Sequence, residues 1–277
     1  MGAQDLPRAI AAAYAWHRAL GSHWEDTGLG RFVVDPTRPM VWDANHVSRV
    51  TASSRAEMDR LLEEMEARFA HCAHRVVATD PFTPPSVSAR LVLESYDELT
   101  PVVHLVLTGD IATKTAPALR FRPVLDEADW RDLHELVLAD RTEGLSTGRT
   151  SGDEDVTRGL VQGYRNATGP CLFFIAEREG APCGYASAIR CPDGDLGMVE
   201  DVFTLPEVRG QGIATALIDH CVRHARAEGV GPVFIGAHAN DWPKHLYARL
   251  GFRPVLVTRK QIKATAAAQS EQNGRRP

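Results

Sequence analysis

The feature that most constrains this sequence is a turn with two glycines that joins an apolar strand to an amphipathic helix. The turn contains Arg209, Gly210 and Gly212, and apolar residues recur at helical spacing from Ile213 onward. Glycines allow a tight turn and a close approach of the backbone to a ligand. The first N–H groups of a helix have no partner within the helix, and the helix dipole adds positive potential there. The pattern predicts an anion site suited to a pyrophosphate, although a plain strand-to-helix turn would use the same glycines.

The residues on both sides of this turn predict a mixed α/β domain. Asp126 and Asp129 can cap a helix, and the short turn at 178–181 has the length and the glycine of a hairpin. The predicted elements are, in order, a strand at 119–124, a helix after Asp126, a helix at 153–164, strands at 171–177, 183–190 and 196–204, a helix at 212–228, a strand at 233–237, a helix at 242–250 and a strand at 253–262.

Two motifs give this region a family resemblance. Arg209, Gly212 and Ala214 fit the pattern Arg/Gln-x-x-Gly-x-Gly/Ala, and the stretch resembles motif A of the GNAT superfamily of N-acyltransferases. Downstream, Asn240 follows a predicted strand and Tyr247 stands seven residues later, before a Gly-Phe pair, which is similar to a second signature of that family. The resemblance covers about residues 119–263 and implies the GNAT acyltransferase fold, a mixed α/β fold.

The resemblance also implies acetyl-CoA, or another acyl-CoA, as the co-substrate. The backbone of Phe203, Thr204 and Leu205 is expected to run beside the pantetheine like an extra strand. Asn240 is expected to bond the pantetheine arm, and Tyr247 to face the thioester sulfur. The pyrophosphate is expected to bind the turn and helix start, which comprise Arg209, Gly210, Gln211, Gly212, Ile213, Ala214 and Thr215.

Direct attack of an amine on the thioester needs an acid and a route for the amine proton. Tyr247, with an ordinary phenol pKa of about 10, is protonated at neutral pH and can donate to the departing thiolate. Glu200 and Asp201 are adjacent on a strand, so one of them faces the cleft, and we favour Glu200 as the base. His238 is the rival base because an imidazole titrates near neutral pH. A water chain without a dedicated base also stays open.

Residues 1–110 form a separate predicted α/β domain, joined by a linker at 111–118, and a polar tail at 264–277 is expected to be disordered. The predicted elements of this first domain are strands at 30–36 and 40–42, a helix at 54–70, a strand at 75–79, a helix at 86–95 and a strand at 102–107. Their order parallels the end of the second domain, which suggests a degenerate GNAT-like copy in tandem. Because this domain has no Arg-x-x-Gly-x-Gly/Ala turn, we do not expect it to bind a pyrophosphate.

Composition excludes several other classes of protein. With 31 basic and 36 acidic residues the net charge is -5, so the chain lacks the basic character of a nucleic-acid-binding protein. No apolar run approaches the length of about 20 residues that spans a bilayer, and the start does not resemble a signal peptide. The odd number of cysteines, five, fits a reducing compartment. We therefore expect a cytoplasmic protein that does not enter a membrane.

The expected partner is a small-molecule amine. The mild acidity favours a cationic acceptor, and the presence of Tyr247 favours an enzyme. Because fold resemblance does not fix the substrate, a non-catalytic acyl-CoA sensor and a protein N-acetyltransferase stay open as alternatives. Two His–Cys–His groups, at 71–74 and 220–224, offer too few ligands at a known spacing, so no metal is expected.

Overall fold

A computed structural model describes residues 5–112, 118–146, 154–192 and 195–265. The chain divides into two compact units: unit 1 comprises Met1–Val102 with Leu256–Pro277, and unit 2 comprises Val103–Val255. These limits differ from the expected domains at 1–110 and 119–263 at both ends: residues 103–110 belong to unit 2, and the C-terminal strand belongs to unit 1 from Leu256 onward. Most of the expected linker at 111–118 and of the tail at 264–277 lies outside the described residues.

The described residues form helices and strands with the following bounds. The helices are α1 (Leu6–Ala19), α2 (Arg55–Arg68), α3 (Pro85–Leu93), α4 (Glu127–Ser146), α5 (Glu154–Asn166), α6 (Ile213–Ala227) and α7 (Pro243–Arg249). The strands are β1 (His23–Asp26), β2 (Arg31–Val34), β3 (His46–Ser48), β4 (His74–Thr79), β5 (Asp97–Glu98), β6 (Val102–Leu107), β7 (Arg120–Pro123), β8 (Cys171–Arg178), β9 (Ala181–Arg190), β10 (Gly197–Thr204), β11 (Val233–His238) and β12 (Arg253–Ala264).

The sheet of unit 1 joins strands from both ends of the chain. β1, β2 and β3 pair antiparallel, β3 and β4 pair parallel, and β4 then pairs antiparallel with the C-terminal strand β12. Helix α2 connects the parallel strands β3 and β4 and buries Met58, Leu61 and Met65 in the core of this unit. Unit 1 therefore contains one β-α-β crossover of the kind that covers a sheet with a helix.

The sheet of unit 2 has the order β6-β11-β10-β9-β8-β7. The strands from β7 to β10 pair antiparallel, and β10 pairs parallel with β11 across helix α6. Adjacent residues of β8 point to opposite faces. The rings of Trp130 and Tyr164, on α4 and α5, contact Phe173, whereas His220 of α6 contacts Phe174. Helices α4 and α5 thus cover one face of this sheet and α6 covers the other.

The structure confirms a mixed α/β fold and corrects the sequence prediction in unit 1. The strand expected at 40–42 is wrong, because Trp42–Ala44 is a short 3₁₀ helix and the neighbouring strand is β3. Strand β1 was not predicted, since its four residues are all exposed and show no apolar alternation. Its pairing with β2 is supported by Arg31, which bonds Asp26 at 2.7 Å and stacks on the ring of Trp24.

None of the helices within the described ranges is both long and apolar enough to span a bilayer.

Candidate active site

Strand β10 contains a bulge at the point where it separates from β11. Its parallel pairing with β11 ends at Val199 opposite Ile235, before the C-terminal ends of the two strands. Its pairing with β9 shifts register between Glu200 and Phe203, and Asp201 has the left-handed φ of 56°. A bulge adds an unpaired residue and bends the strand. The segment after Glu200 therefore presents backbone groups that a ligand can pair with.

A cavity of about 600 Å³ lies at this opening, entirely within unit 2. Its lining combines the end of β10, the turn and first residues of α6, the start and one face of α7, and two carboxylates of α4. The lining residues are Asp140, Glu143, Val202, Phe203, Thr204, Arg209, Gly210, Gly212, Ile213, Ala214, Thr215, Asp241, Trp242, Pro243, Leu246, Tyr247 and Arg249. Most of the predicted donor residues thus line one cavity with Tyr247.

The turn before α6 leaves the N-terminus of this helix without a side-chain cap. Gly210 and Gly212 have φ values of 75° and 84°, a left-handed conformation that glycine adopts without strain. Gly212 is the N-cap residue, and its carbonyl accepts from the N–H of Ala216. The first N–H groups of the helix have no intrahelical acceptor, so they and the helix dipole form an anion-binding end at the cavity.

Arg209 joins three elements around this turn. Its Nε donates to the carbonyl of Thr204 at 2.9 Å, and its terminal nitrogens donate to both carboxylate oxygens of Glu143 at 2.6 and 2.5 Å. Hydrogen bonding to Glu143 is the main reason why the pKa of Arg209 is raised. The guanidinium that the sequence assigns to a pyrophosphate is therefore paired with Glu143 of α4 in this structure.

A glycine outside this turn, Gly184 of β9, allows β9 and β10 to approach closely beside the cavity. A Cβ atom at this position would lie 2.6 Å from the carbonyl oxygen of Phe203, closer than nonbonded atoms can pack. Gly184 also pairs with Thr204 in the antiparallel register. The hydroxyl Oγ1 of Thr204 is buried and has no hydrogen-bond partner among the described residues.

Tyr247 of α7 is buried at the cavity, with 6% of its surface exposed. Burial raises the pKa of its phenol above the ordinary value, and the negative charges of Glu200 and Asp241 raise the pKa further. The phenol is therefore a proton donor at neutral pH. The pKa of this phenol is therefore sensitive to the charge of Glu200.

The three candidate bases lie in different surroundings. Glu200 is partly buried just before the bulge and is not among the residues that line the cavity. Asp201 accepts hydrogen bonds from the hydroxyls of Tyr164, at 3.2 Å, and Ser187, at 3.4 Å. His238 is exposed at the end of β11.

Three predicted donor residues do not line the cavity. The N–H of Leu205 donates to the carbonyl of Cys183 at 3.0 Å, so it belongs to the sheet. The side chain of Gln211 accepts a hydrogen bond from Arg178. Asn240 is exposed in the turn between β11 and α7. Their predicted contacts with a donor remain predictions.

Eight cavity residues were not singled out from the sequence, among them two carboxylates of α4 and a tryptophan and an arginine at the ends of α7. Asp140 and Glu143 are three residues apart on α4 and therefore share a helix face, which is the one local signal that could have paired them. Trp242 and Arg249 lie at the two ends of α7. Their meeting with the α6 turn depends on tertiary packing, which no local pattern encodes.

The two His–Cys–His groups serve packing. His220 stacks on Phe121 with ring centroids 4.4 Å apart, and Cys221 is fully buried in the core of unit 2. In unit 1, His71 shares a hydrogen bond with the side chain of Asn45 at 2.8 Å, and Cys72 is buried.

Unit 1 contains a helix start that corresponds topologically to that of α6 but is closed by its own side chains. Helix α2 also connects two parallel strands, and it begins with a complete capping box. The carboxylate of Glu57 accepts from the backbone N–H groups of Ser53 and Ser54, at 3.0 and 2.9 Å. Backbone hydrogen bonds are the main cause that lowers the pKa of Glu57 to about 2. An internal carboxylate thus occupies the place where a helix N-terminus would bind an external anion.

Comparison with known proteins shows which family model and which curated proteins this chain resembles. Residues 130–252 match the family model described as "Acetyltransferase (GNAT) family". Mycothiol acetyltransferase of Thermobispora bispora is 32% identical over 138 residues, which are 48% of this chain and 44% of that protein. The chain therefore spans less than half the length of this curated relative.

Solved structures extend the likeness of fold to both units. A GCN5-related N-acetyltransferase from Kribbella flavida matches 95% of this chain and 98% of its own, with a TM-score of 0.71 and 15% identity. A tandem GNAT protein from the clavulanic acid biosynthesis pathway matches 76% of this chain and 70% of its own, with a TM-score of 0.51 and 15% identity. These comparisons confirm the predicted GNAT fold, and the family model for GNAT acetyltransferases matches residues 130–252 of this chain.

Proposed function

We propose that this chain is an acyl-CoA-dependent N-acetyltransferase that acetylates an amine of a small molecule within a ternary complex. The observation that carries the proposal is that one cavity of unit 2 is lined by an uncapped helix N-terminus and by a buried, protonated tyrosine. The helix end supplies a site for the donor's pyrophosphate, and Tyr247 supplies a proton for its sulfur.

The residues around the cavity fit the chemistry of an acyl-CoA. The N–H groups of Gly212, Ile213 and Ala214 are suited to phosphate oxygens. The open edge of β10 at 202–204 is suited to the amide groups of pantetheine, which can pair with a strand edge. The buried hydroxyl of Thr204 has no hydrogen-bond partner within the described ranges, and a buried polar group gains free energy when a ligand supplies one.

In the proposed reaction the neutral amine attacks the thioester carbonyl carbon. A C–N bond forms, the C–S bond breaks, and the thiolate of CoA takes the phenolic proton of Tyr247. The proton lost by the amine goes to Glu200, directly or through water, and Tyr247 is reprotonated from solvent. Glu200 is favoured over Asp201 because its negative charge acts on Tyr247 and raises the pKa of that phenol.

The acceptor is proposed to be a cationic small molecule. The carboxylates of Asp140 and Asp241 line the same cavity, beside Glu143, which is paired with Arg209. Carboxylates in a cleft raise the local concentration of cations. The name of the Thermobispora bispora relative, mycothiol acetyltransferase, adds mycothiol-related compounds to the acceptors worth testing. The cysteines of the chain are all free and buried thiols, which fits the proposed cytoplasmic location.

Mass spectrometry of products tests this proposal. The full chain is incubated with acetyl-CoA and a panel of cationic, neutral and anionic amines, and each mixture is compared with one that lacks the protein. The proposal expects protein-dependent acetylation that is strongest among the cationic amines. If CoA binds but no amine is acetylated, the sensor alternative replaces the enzyme. If only protein or peptide amines are acetylated, the small-molecule assignment is wrong.

A further inference from the structure

An exposed tryptophan lines the donor cavity beside an arginine. Trp242 is 58% exposed. The guanidinium carbon of Arg249 lies 4.9 Å from the centre of its ring, which is a cation–π contact. Both residues line the cavity together with the α6 turn. One face of the indole therefore carries a cation while the side chain as a whole stays largely accessible.

The position of the pair on α7 explains why both residues reach the cavity. Trp242 is the N-cap residue of this helix and Arg249 is its last residue. Residues seven apart complete nearly two turns and share a helix face. Tyr247 lies between them and is buried at the same cavity. One short helix thus presents a proton donor and an aromatic–cation pair to one ligand.

The two arginines of the cavity differ in their partners. Arg209 is held by the carboxylate of Glu143. Within the described part of the chain, no carboxylate forms an ion pair with Arg249, whose contact is with the indole ring. An exposed guanidinium without a carboxylate partner is suited to a phosphate, whereas it would repel a cationic acceptor amine.

We propose that Trp242 and Arg249 bind the adenosine 3′-phosphate end of the acyl-CoA donor. The adenine stacks on the open face of the Trp242 indole, and the Arg249 guanidinium bonds the 3′-phosphate. This assignment rests on the proposed acyl-CoA donor, because the 3′-phosphoadenosine is the part of that molecule that lies beyond the pyrophosphate. The pair would distinguish CoA from donors that end at the pantetheine phosphate.

The test compares CoA with 3′-dephospho-CoA by calorimetric titration of the full chain. Replacing Arg249 by Gln should weaken CoA binding at least about tenfold and leave 3′-dephospho-CoA binding nearly unchanged, because the lost bond is to the 3′-phosphate. Replacing Trp242 by Ala should weaken both ligands about tenfold, because stacking does not depend on that phosphate. Trp242→Phe should retain most of the affinity.

Trp24→Ala is the matched control, since Trp24 is also exposed and stacks with an arginine, Arg31, but belongs to unit 1. It should leave both affinities unchanged. Equal loss of both ligands in Arg249→Gln, or unchanged CoA binding in Trp242→Ala, would overturn the assignment while the proposed function stands. If the unmodified chain binds neither ligand, the proposed donor itself is wrong and the assignment falls with it.

Discussion

At the scale of single residues, the proposed chemistry depends on the phenol of Tyr247. Its burial on α7 and the nearby negative charges raise its pKa, so the phenol holds its proton at neutral pH. The sulfur can accept that proton only as the C–S bond breaks and negative charge develops on it. The same burial makes Tyr247 part of the core of unit 2, so that a substitution must keep the ring.

Replacing Tyr247 by Phe keeps the ring and removes the proton. Turnover should fall by about two to four powers of ten, while the affinity for CoA stays close to that of the unmodified chain. Single-turnover kinetics with acetyl-CoA and titration with CoA measure the two quantities separately. Full turnover in the Phe variant, with the chemical step rate-limiting, would show that another group protonates the sulfur.

At the scale of elements, the approach of β9 to β10 and the uncapped start of α6 shape the donor site. Gly184 allows the approach, since any Cβ there would meet the Phe203 carbonyl at 2.6 Å. The starts of α6 and α2 differ in which backbone N–H groups are left for a ligand. Gly212 leaves the N–H groups of α6 available, whereas Glu57 occupies those before α2.

Gly184→Ala should therefore destabilise the fold by about 1–3 kcal/mol and weaken CoA binding, because relief of the clash displaces the edge at 202–204. Gly28→Ala is the control, since a Cβ at Gly28 has no atom within 4 Å. Chemical denaturation and titration with CoA measure the two effects. Unchanged CoA affinity in a folded Gly184→Ala variant would argue that this edge does not contact the donor.

At the scale of the whole molecule, the sequence predicts unit 2 better than unit 1. The α6 turn can be predicted from the sequence because its glycines and the apolar spacing after it are local features. Strand β1 cannot be predicted in this way, because its pairing with β2 depends on Arg31 and Asp26 rather than on an apolar pattern. The bond of Arg209 to Glu143 joins residues 66 apart in the chain, so the pairing of that guanidinium can be known only from the tertiary structure.

Unit 1 should lose stability in mild acid. Burial is the main cause that lowers the pKa of His46 and of His74 from 6.5 to about 4. Because the unfolded chain binds these protons at a higher pH than the folded chain, folding stability should fall as the pH drops from about 6.5 to about 4. Thermal unfolding over this range should show it, and His46→Gln should flatten the slope. A melting temperature that does not change between these pH values would contradict the neutral buried state of both imidazoles.

The central claim is that one site in the molecule, at the start of α6, binds the CoA donor. Calorimetric titration of the full chain with CoA tests it most directly, with the variants Gly212→Glu and Gly180→Glu beside it. Gly180 is the matched control, because it also has a left-handed φ, 83°, but lies in the hairpin turn between β8 and β9. The account predicts one CoA per chain, retained in Gly180→Glu and lost in a folded Gly212→Glu variant, where a carboxylate would fill the turn and repel phosphate. Two equivalent sites per chain, or unchanged affinity in Gly212→Glu, would contradict it.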